Sequence, residues 1–183
     1  MQVESFDIAD IKAIRADVSR EASGTFSYFY SAKEFEENAI PTGWVQEHSS
    51  FYPKKHTVRG LHFQRPPLAQ HKFVRVARGR IWDVAVDIRR DSPTFGRHVA
   101  LELSAENWVQ LYVPIGFAHG FCTLEPDTEV MFRITDYNTR GYQGGLLWND
   151  PALGVRWPCG DQPAAIFPAD TAWPALRDLD SQF

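Results

Sequence analysis

Residues 79–88 read Gly-Arg-Ile-Trp-Asp-Val-Ala-Val-Asp-Ile: a glycine, then a strand-length run in which apolar residues interleave with two aspartates. Branched and aromatic side chains bounded by a glycine mark a strand rather than a helix. Ile81, Val84, Val86 and Ile88 are the inward candidates, with Asp83, Ala85 and Asp87 between them; the two aspartates are read as marking the strand and its turn. Similar runs flank this one on both sides. Lys72 to Ala77 precedes it, and His98 to Leu103, Trp108 to Val113, Gly120 to Leu124 and Glu129 to Ile134 follow. Gly, Pro, Asp, Asn or Ser separate many of these runs, and spacings of roughly ten residues predict an all-β sandwich or barrel. Helix is scarce. Ala32 to Asn38 and Ile8 to Ile14 are the best short candidates, and the stretch from Trp157 reads as loop with a turn of helix.

The chain has 183 residues, 44% of them hydrophobic and 23% charged. That is enough for one domain with a real core, and no linker or internal repeat divides residues 1–183. A net charge of −4 argues against a general nucleic-acid or membrane partner. An anionic ligand would need a local basic pocket. The two cysteines, Cys122 and Cys159, form no CxxC pair, so neither a disulfide framework nor structural zinc is expected. The N-terminal residues lack the basic-then-apolar pattern of a signal peptide, and no run approaches the length of a membrane span. A cytoplasmic protein is the expectation.

Two clusters carry candidate chemistry. One is Thr57-Val58-Arg59-Gly60-Leu61-His62-Phe63-Gln64 with Gln70-His71-Lys72-Phe73-Val74; the other is Pro114-Ile115-Gly116-Phe117-Ala118-His119-Gly120-Phe121. Histidines beside cations on β-rich segments can bind phosphate and move protons near neutral pH. The second cluster fits the P-x-G-x-x-H signature of cupins. The first lacks the cupin H-x-H, because position 64 is Gln, and no Glu follows at the usual spacing. Two separate histidines are too few for a metal site, so no metal and no cofactor are expected. His56 and His71 are read as structural.

Over nearly its whole length the chain resembles the dTDP-4-dehydrorhamnose 3,5-epimerase family. The motifs are VRGLHFQ at 58–64, QHKFVRV at 70–76, GRIWDVAVDIRRDSPTFG at 79–96, VPIGFAHGF at 113–121, TDY at 135–137 and WNDPALGVRWP at 148–158. The resemblance implies a cupin-type jelly roll with a few short helices. It also implies a homodimer acting without cofactor on a nucleotide-diphosphate 4-keto-6-deoxyhexose. It makes His62 the base, Asp170 its partner and Lys72 the cation facing the enolate. Arg59 and His119 then line the substrate pocket, with Gln46, Tyr137, Phe132 and Gln143 at substrate-contact positions.

The chain also departs from that pattern. The family's proton-donating tyrosine aligns with Phe132, which has no proton to give. Ser23, Tyr28, His48, Gln143 and Ala169 replace an Arg, a Glu, an Asn, a Glu and a Lys at nucleotide-contact positions. These changes lead to the expectation of a one-carbon epimerase, acting at C3, with Tyr137 or Tyr142 or water returning the proton. The competing readings are a full 3,5-epimerase with a substitute acid, a cupin 3,4-ketoisomerase, a binding protein that lost its acid, and a metal-dependent oxygenase. The missing H-x-H argues against the last.

Overall fold

A computed structural model describes residues 1–183. Fourteen strands carry the fold: β1 (Gln2–Ser5), β2 (Lys12–Arg15), β3 (Val18–Glu21), β4 (Gly24–Ser27), β5 (Gln46–Tyr52), β6 (Thr57–Gln64), β7 (Lys72–Arg78), β8 (Arg80–Asp87), β9 (His98–Ser104), β10 (Val109–Val113), β11 (Phe117–Thr123), β12 (Thr128–Ile134), β13 (Gln143–Gly145) and β14 (Ala165–Ile166). The first sheet runs β1-β2-β10-β7-β12-β5. The second runs β13-β6-β11-β8-β9, with β14 also along β6, and β3 and β4 form a separate hairpin. The pairings are antiparallel except the short β14–β6 pair. This is the β-sandwich that the strand spacing predicts.

The sheets pack face to face around Val74, Val76, Val109, Leu111, Val113 and Val130 from the first and Ile81, Ala85, Leu103, Phe117 and Phe121 from the second. Burying each such side chain contributes about 1.5–3 kcal/mol. The residues of β8 divide differently from the expected inward set. Ile81 and Ala85 face the first sheet, whereas Val84, Val86 and Ile88 face the opposite way. There the C-terminal arm covers them with Leu146, Trp148, Leu153, Trp157 and Leu179. Both faces of β8 are therefore apolar, and the alternation identifies a strand without saying which face meets the other sheet.

The single α-helix, α1 (Ala32–Glu37), starts where the Ser31 side chain accepts a hydrogen bond from Glu34 N. The expected helix at Ile8 to Ile14 is absent. Ile11 N donates to Ile8 O in a turn, and the chain then extends into β2 between β1 and β10. Ile8, Ile11 and Ile14 copy a helical spacing because a turn followed by a strand buries them against two different clusters. The arm beyond Trp157 is irregular, as expected, with β14 and two 3-10 turns, Pro168–Thr171 and Leu176–Asp178. No helix is long and apolar enough to cross a membrane.

Candidate active site

β6 is the spine of the site. It pairs with β11 so that His62 and His119 are register partners, and with β13 so that His62 lies opposite Gly145. Gly60 makes this close pairing possible. Its φ is +121°, and a Cβ there would stand 2.6 Å from Gly120 Cα. The Gly60 amide is then free to donate to Asp170 Oδ2 at 2.9 Å.

Asp170 comes from the 3-10 turn at Pro168–Thr171 and is fully buried. Its Oδ1 lies 2.5 Å from His62 Nε2 and also accepts from Trp173 Nε1 at 3.3 Å. The Trp173 ring sits on β13: a Cβ at Gly145 would come within 2.3 Å of it, so only glycine seats the indole there. Lys72 Nζ, from β7 of the first sheet, donates to His62 O at 2.9 Å. Arg59 stacks its guanidinium on the Phe167 ring at 4.6 Å, and its Nε is buried without a partner.

These groups share one cavity of about 220 Å³. Arg59, His62, Lys72, Phe132, Gln143 and Asp170, all expected site residues, line it. The other three stand just outside. His119 is buried and lies 2.5 Å from Asp83 Oδ1 through its Nε2. Gln46 accepts from Asn138 N at 2.8 Å, and Gln143 donates to the Asn138 side chain at 2.8 Å, so both hold a wall residue in place. The Tyr137 ring is exposed, while its carbonyl is held by Gln64 at 3.0 Å.

Gln64, where a cupin metal ligand would stand, is committed elsewhere. Its side chain bonds Leu68 O, Tyr137 O and Thr139 N, tying together two loops at the cavity mouth. No group of three or more His, Cys, Asp or Glu side chains is placed to hold a metal ion.

Burial pushes His62 below the ordinary imidazole value of 6.5; Asp170 opposes this and the charges of Lys72 and Arg59 reinforce it. Burial alone would raise Asp170, but the hydrogen bonds from His62, Gly60 and Trp173 prevail and hold its carboxyl below the usual range. Burial brings Lys72 down to about 8, against the pull of Asp83. A neutral imidazole, a carboxylate ready to stabilise its protonated form and a cation thus converge on one cavity, an arrangement suited to removing a proton beside a carbonyl.

A larger, shallower groove of about 510 Å³ lies near Arg89 and Phe183. Its one cation is already paired with Asp10 and Asp87. The chemistry therefore belongs to the smaller cavity.

Sequence reasoning missed Asp83, Trp173 and Asn138. Asp83 reads in the sequence as a mark of the strand and its turn, whereas it shares the inward face of Ile81 and Ala85 and meets His119 there. Trp173 follows Asp170 by three residues, the spacing that a 3-10 turn brings together, but nothing in the loop-rich arm announced that turn.

The family model described as dTDP-4-dehydrorhamnose 3,5-epimerase matches residues 5–178. A dTDP-4-dehydrorhamnose 3,5-epimerase from Sinorhizobium fredii is 43% identical, covering 100% of this chain and 93% of that protein. The crystal structure of a dTDP-4-dehydrorhamnose 3,5-epimerase from Bacillus anthracis, with TDP and PPi bound, is 39% identical. It superimposes with a TM-score of 0.91 over 95% of this chain and 98% of that one. A dTDP-6-deoxy-D-glucose-3,5-epimerase from Legionella pneumophila, in complex with dTDP-4-keto-L-rhamnose, is 36% identical. Its TM-score is 0.92 over 98% of this chain and 94% of that one.

Fold and site define a cupin-type carbohydrate epimerase acting on a nucleotide sugar. The chain belongs to the dTDP-4-dehydrorhamnose 3,5-epimerase family.

Proposed function

We propose that this chain epimerises a dTDP-linked 4-keto-6-deoxyhexose at C3, with His62 as base. The observation that carries the reading is the convergence of the His62–Asp170 pair and Lys72 on one cavity. Neutral His62 takes the proton from C3, which is acidified by the C4 ketone. Asp170 stabilises the resulting imidazolium. Lys72 faces O4, where negative charge collects as the enolate forms. Arg59, lying on Phe167 at the cavity edge, takes the diphosphate. TDP and dTDP-4-keto-L-rhamnose, bound to the relatives from Bacillus anthracis and Legionella pneumophila, support thymidine diphosphate as the carrier here.

Phe132, which lines the cavity and has no proton to return, supports inversion at one carbon only, and C3 is the carbon we assign. No step requires a metal or a cofactor, and the working form is a homodimer in the cytoplasm.

The test is proton NMR of a dTDP-linked 4-keto-6-deoxyglucose incubated with the protein in deuterated water. Deuterium enters at C3 with inversion, and His62→Asn slows that exchange about 10²–10⁴-fold. Exchange unaffected by that substitution removes His62 as base. Inversion at both C3 and C5 at comparable rates removes the restriction to one carbon.

A further inference from the structure

Inverting a carbon takes two proton carriers, one on each face of the sugar. His62 serves one face from the second sheet. The first sheet lines the cavity with Lys72, Phe132 and Ile134. Phe132 and Ile134 carry no exchangeable proton. Lys72 is tied to the His62 carbonyl and, in the epimerase reading, serves the enolate oxygen.

On the face of the first sheet that carries Phe132, the neighbouring ionisable side chain is His48. β5 pairs with β12 so that His48 lies directly across from Phe132. Cross-strand partners share a sheet face, and the imidazole stacks on the Phe132 ring with centroids 4.7 Å apart and planes 10° from parallel. Its Nε2 is buried and has no hydrogen-bond partner in the chain. A buried polar atom left unsatisfied calls for an explanation, and contact with a ligand supplies one. Two residues earlier on the same strand face, Gln46 holds Asn138 of the cavity wall. The inner face of β5 thus runs behind the cavity wall, where His48 stands against Phe132 with its Nε2 uncommitted. His119 and His71 are both engaged, with Asp83 and with the Tyr112 hydroxyl.

We propose that His48 returns the proton to the sugar face opposite His62, past the edge of Phe132, directly or through one water. The inference rests on the epimerase reading above. In this step the N–H bond of a protonated His48 breaks and a C–H bond forms at the carbanionic carbon. The enolate electron pair moves into that bond, the C4 carbonyl re-forms, and His48 is left neutral to regain a proton from solvent. Nothing is oxidised or reduced.

Removal of the proton and its delivery to the other face can be read separately. In deuterated water, proton NMR distinguishes deuterium that enters with retention from deuterium that enters with inversion. With dTDP-linked 4-keto-6-deoxyglucose as the probe, His48→Ala lowers inversion about 100-fold or more relative to exchange with retention at the same carbon. Added imidazole restores inversion, which a purely structural defect would not allow. His48→Gln, which keeps a planar polar group on the Phe132 ring, gives the same separation and guards against misfolding of the alanine variant. An unchanged ratio of inversion to exchange in both variants overturns the inference and leaves the epimerase reading standing. If the unaltered protein shows neither exchange nor inversion, the epimerase reading falls and the inference with it.

Discussion

A single carboxylate partners His62, the base of the proposed reaction. Asp170 receives three N–H groups while fully buried: Gly60 N, His62 Nε2 and Trp173 Nε1. Trp173 bonds the same oxygen as His62, so it draws on charge that would otherwise stabilise the imidazolium. Trp173→Phe keeps an aromatic ring against Gly145 and removes only the donor. Asp170 then leans more on His62, the protonated imidazole gains stability, and the His62 value rises. Because the proposed base must be neutral, the low-pH limb of kcat/KM moves to higher pH; burial and the Lys72 and Arg59 charges, which hold His62 down, are unchanged. A pH profile of kcat/KM reads this shift, and a limb that stays in place shows that the indole N–H does not tune the pair. Asp170→Asn acts on the same pair more severely, lowering kcat about 10²–10⁴-fold by removing the charge that orients and stabilises His62.

The strand β8 shows what an element can carry beyond its own hydrogen bonds. At its end Asp87 accepts from Arg89 N, the Arg89 guanidinium, Ser92 Oγ and Thr94 Oγ1, closing the turn toward β9. Burial opposes ionisation, but these donors bring Asp87 from 3.8 down to about 2. A carboxyl held lower in the folded than in the unfolded chain stabilises the fold above the unfolded value. That contribution is lost as pH falls from about 4 toward 2. Asp87→Asn is therefore expected to cost about 2 kcal/mol at pH 7, with the gap from the parent narrowing below pH 4. Urea unfolding at both pH values measures it, and a gap independent of pH assigns the loss to packing instead. The same strand marks the limit of what was legible in the sequence. Short apolar runs between turn residues gave the all-β class and most strands, and the motifs gave six residues that do share one cavity. The facing of β8 was hidden because two separate apolar layers cover it, and with it the role of Asp83 beside His119. Ile8 to Ile14 misled for a related reason: burial at every third residue fits a turn-and-strand as well as a helix.

At the scale of the whole molecule, one piece stands apart from the two sheets. The β3–β4 hairpin pairs with neither sheet and leaves Phe26 71% exposed. An isolated two-stranded hairpin is marginal in water, and a partner surface would both support it and cover Phe26. Phe29, two residues beyond β4, is anchored by stacking on Trp108 at 5.5 Å and by the Arg75 guanidinium over its ring. The base of the hairpin is thus fixed while the Phe26 ring points outward, the form expected of an arm that docks on a second copy. Light scattering is expected to give twice the chain mass of 20.9 kDa over a broad concentration range. Phe26→Asp places a charge in the buried centre of such an interface and shifts the equilibrium toward monomer, while the His62–Asp170 pair, on β6 and the C-terminal arm, keeps its geometry. A concentration-independent monomer for the unaltered chain removes the dimer. A dimer indifferent to Phe26→Asp moves its interface away from the hairpin.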